Sequence, residues 1–144
     1  MADVHSKEVR SFNMSQIKGK NTRPEIIVRK FLHSRGFRFR IHSKFLPGKP
    51  DIVLPRYRTA IFINGCFWHG HEGCRYFVVP KTRTDFWMDK IYKNISRDSD
   101  AESALRHSGW KVIIIWECKL KKATLTSTLE GLINEITSSA IKRI

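Results

Sequence analysis

Pro47-Gly48-Lys49-Pro50-Asp51-Ile52-Val53-Leu54-Pro55-Arg56-Tyr57-Arg58-Thr59-Ala60-Ile61-Phe62-Ile63-Asn64 is the stretch that decides the fold. Residues 46–50 are turn chemistry, with Pro and Gly supplying the fixed and the permissive backbone angles a reversal needs. Two short apolar runs follow, 51–54 and 59–64, joined by Pro55-Arg56-Tyr57-Arg58. Runs this short, bounded by turn residues, suit neighbouring antiparallel strands. Upstream, Phe37, Phe39 and Ile41 alternate with Arg38 and Arg40, the period of a half-exposed strand. Before it, Asn21-Thr22-Arg23-Pro24-Glu25 offers a capping residue, Pro in the first turn and an acid near the positive helix end. That helix runs through Ile27, Val28, Phe31 and Leu32 towards a stop at Gly36. Downstream, residues 65–84 are irregular. A long helix starts at Thr84 and continues through Ile91, Ile95 and Leu105 to Gly109. Residues 111–117 then form a continuously apolar strand, expected to be covered on both faces. A final helix occupies roughly 124–141. The expected class is α/β, a mixed central sheet of several strands flanked by helices.

At 144 residues the chain fits one domain. Residues 1–20 read as an arm or weak helix, with Met14 and Ile17 on one possible face, ahead of a single domain over 21–144. There are 27 Lys and Arg against 13 Asp and Glu, a net charge of +14. A field of that sign attracts polyanions, and each neutralised phosphate releases counterions. Nucleic acid is therefore the expected partner, ahead of an acidic protein or a membrane surface. The first eight residues are polar, without the apolar run of a signal peptide, and the apolar stretches are too short to span a bilayer. A cytoplasmic chain with no membrane partner is expected. Three cysteines, an odd count, argue for metal or redox chemistry over a disulfide framework.

Gly65-Cys66-Phe67-Trp68-His69-Gly70-His71-Glu72-Gly73-Cys74 holds the densest chemistry. Cys66, His71 and Cys74 have knuckle spacing, and Cys118 follows the last strand. Three thiolates and one imidazole would close a tetrahedral structural Zn²⁺ site. Spacing alone does not choose between His69 and His71, and three buried free cysteines are the plainer alternative. Asp51, directly after a turn and at a strand start, resembles the Pro-Asp half of a restriction-endonuclease-like metal site. The usual Glu-x-Lys partner is missing, because the next strand reads Ile61-Phe62-Ile63-Asn64. His69 is the nearest candidate base, since a neutral imidazole accepts a proton near pH 7. Phe67 and Trp68 adjoin it, with Trp87 further on. Such rings usually serve a core, but in a basic protein they can also wedge between base pairs.

These residues carry a resemblance. The run from Pro47-Gly48-Lys49-Pro50-Asp51 through Phe62-Ile63-Asn64-Gly65-Cys66-Phe67-Trp68-His69 is similar to the very-short-patch repair (Vsr) endonucleases. So are Pro80-Lys81-Thr82-Arg83-Thr84-Asp85-Phe86-Trp87, Lys93-Asn94, Arg97-Asp98, Gly109-Trp110 and Trp116-Glu117-Cys118. The resemblance implies a restriction-endonuclease-like α/β fold with a structural zinc. It implies a bacterial, nucleoid-associated enzyme that nicks one strand of duplex DNA beside the T of a T:G mismatch left by 5-methylcytosine deamination. Asp51 and the main-chain carbonyl of Ile63 would hold Mg²⁺, and His69 would be the general base. Glu25 and Asp98 would support His69 or metal-bound waters. Cys66, His71, Cys74 and Cys118 would hold Zn²⁺. Phe67, Trp68 and Trp87 would wedge at the mismatch, with Met14 contacting the other groove. Asn64 stands where better-known members carry His. Asn donates a hydrogen bond but transfers no proton at neutral pH, so Mg²⁺-bound water would take over the leaving-group work. A monomer is expected, with downstream repair proteins as further partners. The rivals are a zinc-stabilised, non-catalytic DNA-binding module and a nuclease of the same fold acting on another substrate.

Overall fold

The computed structural model describes residues 22–138. The expected arm, Met14 within it, Asn21 and residues 139–141 of the expected last helix lie outside these residues.

Helix α1 (Arg23–Ser34) begins where the capping signals place it. Thr22 Oγ1 accepts from the Glu25 amide at 3.4 Å, and Pro24 sits in the first turn, where its missing N–H costs nothing. Strands β1 (Arg40–Ile41), β2 (Ile52–Leu54) and β3 (Thr59–Asn64) follow, then α2 (Thr84–His107), β4 (Lys111–Trp116) and α3 (Leu125–Thr137). The sheet order is β1-β2-β3-β4. β1, β2 and β3 are antiparallel neighbours, while β3 and β4 are parallel, as their crossover through α2 requires.

Register sorts the side chains. Ile52 faces Ile61, which faces Ile113, so Ile52, Leu54, Ile61, Ile113 and Ile115 line one face. They pack with Val28 and Leu32 of α1 and Leu129, Leu132 and Ile136 of α3. Ala60 and Val112 point to the other face, under Leu105 of α2. Full burial of one such Leu or Ile contributes roughly 1.5–3 kcal/mol, so the larger cluster dominates cohesion. The sheet is mixed, with helices on both faces, as expected.

Two expectations shift. The strand expected over 37–41 pairs only at Arg40 and Ile41. Phe37 and Phe39 still pack against the core, so the alternation reported burial rather than ladder length, which three-residue β2 limits. In β4, Val112, Ile113 and Ile115 are buried but Ile114 is exposed, because the cover on that face centres on Leu105 over Ala60 and Val112. Among the described residues no helix is long and apolar enough to cross a membrane.

Candidate active site and metal centre

The antiparallel pairing of β2 and β3 brings the start of one beside the end of the other. Asp51, just before β2, therefore meets Ile63, whose amide donates to Asp51 Oδ2 at 2.7 Å. The two line an open groove of about 520 Å³ together with Glu25, Asn64, His69 and Asp98. Burial pushes the Asp51 carboxyl up to about 6. The Ile63 amide opposes that shift, nearby Glu25 reinforces it, and His42 and His69 oppose it. An acid pushed up by burial and a second carboxylate is charge that a divalent cation would relieve, so the donor set fits a hard metal such as Mg²⁺.

His69 lies in the loop after β3, and its Nδ1 is 2.6 Å from Asp98 Oδ2 on α2. With the Nδ1 proton donated to Asp98, the Nε2 lone pair is left to accept a proton. Glu25 is nearly buried, at 3% exposure, and its carboxylate takes His42 Nε2 at 2.9 Å and Arg29 at 3.4 Å. Thus Asp98 pairs with His69, while Glu25 lies on the Asp51 side of the groove. Asn64, also buried, ends β3 at the groove wall.

The loop over 65–74 divides its histidines. His69 turns to Asp98, and His71 turns to Cys66, Cys74 and Cys118, whose ligand atoms all lie within 4.8 Å of one another. His71 Nδ1 is 3.5 Å from Cys118 Sγ. Zinc–sulfur bonds of about 2.3 Å would draw these atoms only slightly inward, so a tetrahedral ion fits. Burial, together with neighbouring thiols, pushes the Cys66 thiol up, and burial holds His71 down as a neutral imidazole able to donate its lone pair. The His71 ring stacks on Trp116 at 4.0 Å and 3°, tying the cluster to β4. Gly70 separates the two histidines at φ +60°, and a Cβ there would come within 2.7 Å of Ile95 on α2.

Phe67, Trp68 and Trp87 form a three-ring cluster with centroids 5.2–5.8 Å apart. Asn94 of α2 anchors its backbone by donating to the Trp68 carbonyl at 2.9 Å. Trp68 is 37% exposed and also lines the groove, so the cluster is not sealed inside a core.

Sequence reasoning missed His42, Lys49 and Glu117. Lys49 and Glu117 line the groove, and the His42 amide donates to the Asp51 carbonyl at 3.2 Å. The register Ile41↔Ile52 sets His42 opposite Asp51. That register depends on the length of the 42–50 loop, which carries no hydrophobic signal for it.

Comparison with known proteins places nearly the whole sequence beside one family. Residues 2–75 match the sequence profile described as DNA mismatch endonuclease Vsr. The chain is 50% identical over 137 residues to the type II nicking enzyme V.NmeAIP of Neisseria meningitidis serogroup A, covering 94% of this chain and 97% of that one. It is 52% identical over 120 residues to the type II nicking enzyme V.XorIIP of Xanthomonas oryzae pv. oryzae, covering 83% and 88%. With the DNA mismatch endonuclease Vsr of Escherichia coli K12 it shares 46% identity over 136 residues, covering 90% and 86%.

Proposed function

Since this chain belongs to the Vsr family of DNA mismatch endonucleases, which are DNA-cutting hydrolases, we propose that it nicks one strand of duplex DNA beside the T of a T:G mismatch, with Mg²⁺ as cofactor. The observation that carries the reading is the His69–Asp98 pair, 2.6 Å apart, in one groove with Asp51 and beside the exposed edge of an aromatic cluster.

Each residue has a distinct task. Asp51 and the main-chain carbonyl of Ile63 would hold Mg²⁺, which would supply neutralisation of charge on the scissile phosphate and the leaving oxygen. His69 Nε2 takes the proton from the attacking water. A bond forms from water oxygen to phosphorus, and the bond from phosphorus to the 3′ oxygen breaks. Asp98 stabilises the imidazolium that results and keeps the ring in its useful tautomer. Glu25, on the Asp51 side of the groove, would support the waters around that ion. Asn64 donates a hydrogen bond in the groove and leaves the proton for the 3′ oxygen to come from water. Phe67, Trp68 and Trp87 present apolar edges that enter the stack at the mismatch, where unstacking is cheapest. Cys66, His71, Cys74 and Cys118 would hold Zn²⁺, which would fix the loop that carries both the base and the wedge. The core is read as a restriction-endonuclease-like domain acting as a monomer in the bacterial cytoplasm.

The test is a nicking assay with Mg²⁺ and three duplexes that differ only at one position, T:G, T:A or C:G. Nicking confined to the T strand of T:G supports the reading. Equal cleavage of matched duplexes points to another substrate, and tight binding without cleavage removes the catalytic assignment.

A further inference from the structure

Four arginines at the far end of the sheet are not accounted for by the catalytic groove. Arg35 caps α1, Arg38 and Arg40 lie on the chain entering and forming β1, and Arg56 sits in the turn after β2. Together they line an open cavity of about 420 Å³, along with Phe37 and Tyr57, whose rings are 5.6 Å apart. Asp51 precedes β2 and lines the groove, whereas Pro55 follows β2 and lines this cavity. Four residues of extended chain set the two ends about 13 Å apart.

The fold does not need this charge. Phe37 and Phe39 supply the segment's packing against the core, and the arginines between and after them are exposed. Arg35 pairs with Glu130 at 2.5 Å, and Arg56 lies over the Tyr57 ring. Arg38 and Arg40 have no ion-pair partner among the described residues. Like charges brought together repel, so a cluster of this kind is stabilised when an anion bridges it. Guanidinium forks match phosphate oxygens in bidentate geometry. Arg38 and Arg40, two residues apart, leave the same side of the chain roughly 7 Å from one another. That spacing suits neighbouring phosphates along one strand better than the irregular carboxylates of an acidic peptide.

We propose that this cavity is a second nucleic-acid contact, which grips the phosphodiester backbone of a DNA segment other than the one in the catalytic groove. Two separated grips allow the protein to pass from one duplex segment to another without full release.

The experiment loads the full-length protein, in buffer without Mg²⁺, with a labelled T:G duplex about one helical turn long. A longer matched duplex with a second label is then added. The first label reports whether the groove is filled, so failure of the mismatch reading is visible separately. The wild type should form a ternary complex. Arg38→Gln/Arg40→Gln should bind the second duplex about tenfold more weakly and lose roughly two units of slope in log affinity against log salt. The charge-matched control Lys30→Gln/Lys122→Gln, outside the cavity, should keep most of that affinity. Thermal melting checks that both variants fold. Three outcomes overturn the proposal: no ternary complex in the wild type, equal losses in both variants, or preferential capture of a poly-glutamate peptide by the same two arginines.

Discussion

Asp51, the proposed metal ligand, is a carboxylate whose placement works against the fold. Its ordinary value of 3.8 rises to about 6 in the folded chain, chiefly through burial and secondarily through Glu25. A raised carboxyl favours folding fully below about pH 4, and that contribution disappears as pH climbs through 6. Above pH 6 the metal-free protein thus carries a buried charge costing at most about 3 kcal/mol, two pKa units at 1.36 kcal/mol each. Asp51→Asn should therefore melt at a higher temperature than the wild type at pH 7.5, lose that advantage at pH 4, and nick nothing. Calorimetry across this range checks it, and identical melting at pH 7.5 would show that the charge is not strained. Added Mg²⁺ should raise the wild-type melting temperature and leave the variant unmoved. At this scale much of the candidate site was legible. Asp51, His69 and Asp98 carry chemistry in their residue types and surroundings, and they do share one groove. His42 was not legible, because its place against Glu25 comes from strand register and a left-handed backbone at φ 50°.

The loop over 65–74 is the element on which both halves of the site depend. Gly70 lets it pass against Ile91 and Ile95 of α2, so the histidines on either side can face opposite ways. Gly70→Ala meets two obstacles, a positive φ and a contact of 2.7 Å with Ile95 Cδ1. A substitution of this kind typically costs 1–3 kcal/mol, about that much here. It should reduce nicking at least tenfold and speed zinc loss to a chelator, measured by a colorimetric zinc indicator. Unchanged release and turnover would disprove the coupling. Capping signals and apolar periodicity made the helices readable, and α1 and α2 start where Thr22 and Thr84 imply. Knuckle spacing made the metal cluster readable but left His69 and His71 open. The pairing of His69 with Asp98, twenty-nine residues away, and the grouping of His71 with the three cysteines separate them. The short ladder of β1 was unreadable because alternation reports which face is wet, not how many residues find a partner.

For the molecule as a whole, the decisive quantity is a net charge of +14 over the full chain. A footprint covering about six to eight phosphates gives a slope of about −5 to −7 in log affinity against log salt. Anisotropy titrations of a matched duplex between low and physiological salt should show that slope. One shallower than about −2 would mean that most of the charge does no binding. The fold class was legible because short apolar runs, two long helical patterns and a crossover leave few topologies. The stacking of His71 on Trp116 has a consequence for how such an enzyme breaks down. Were an ion held by the four ligands and then lost, that stack alone would tie the loop to β4, and the proposed base and wedge would loosen together on one strap. On the proposed mechanism an oxidised or demetallated molecule would be inert rather than indiscriminate: it would fail safe, and the genome would be spared a cutter that has lost its judgement.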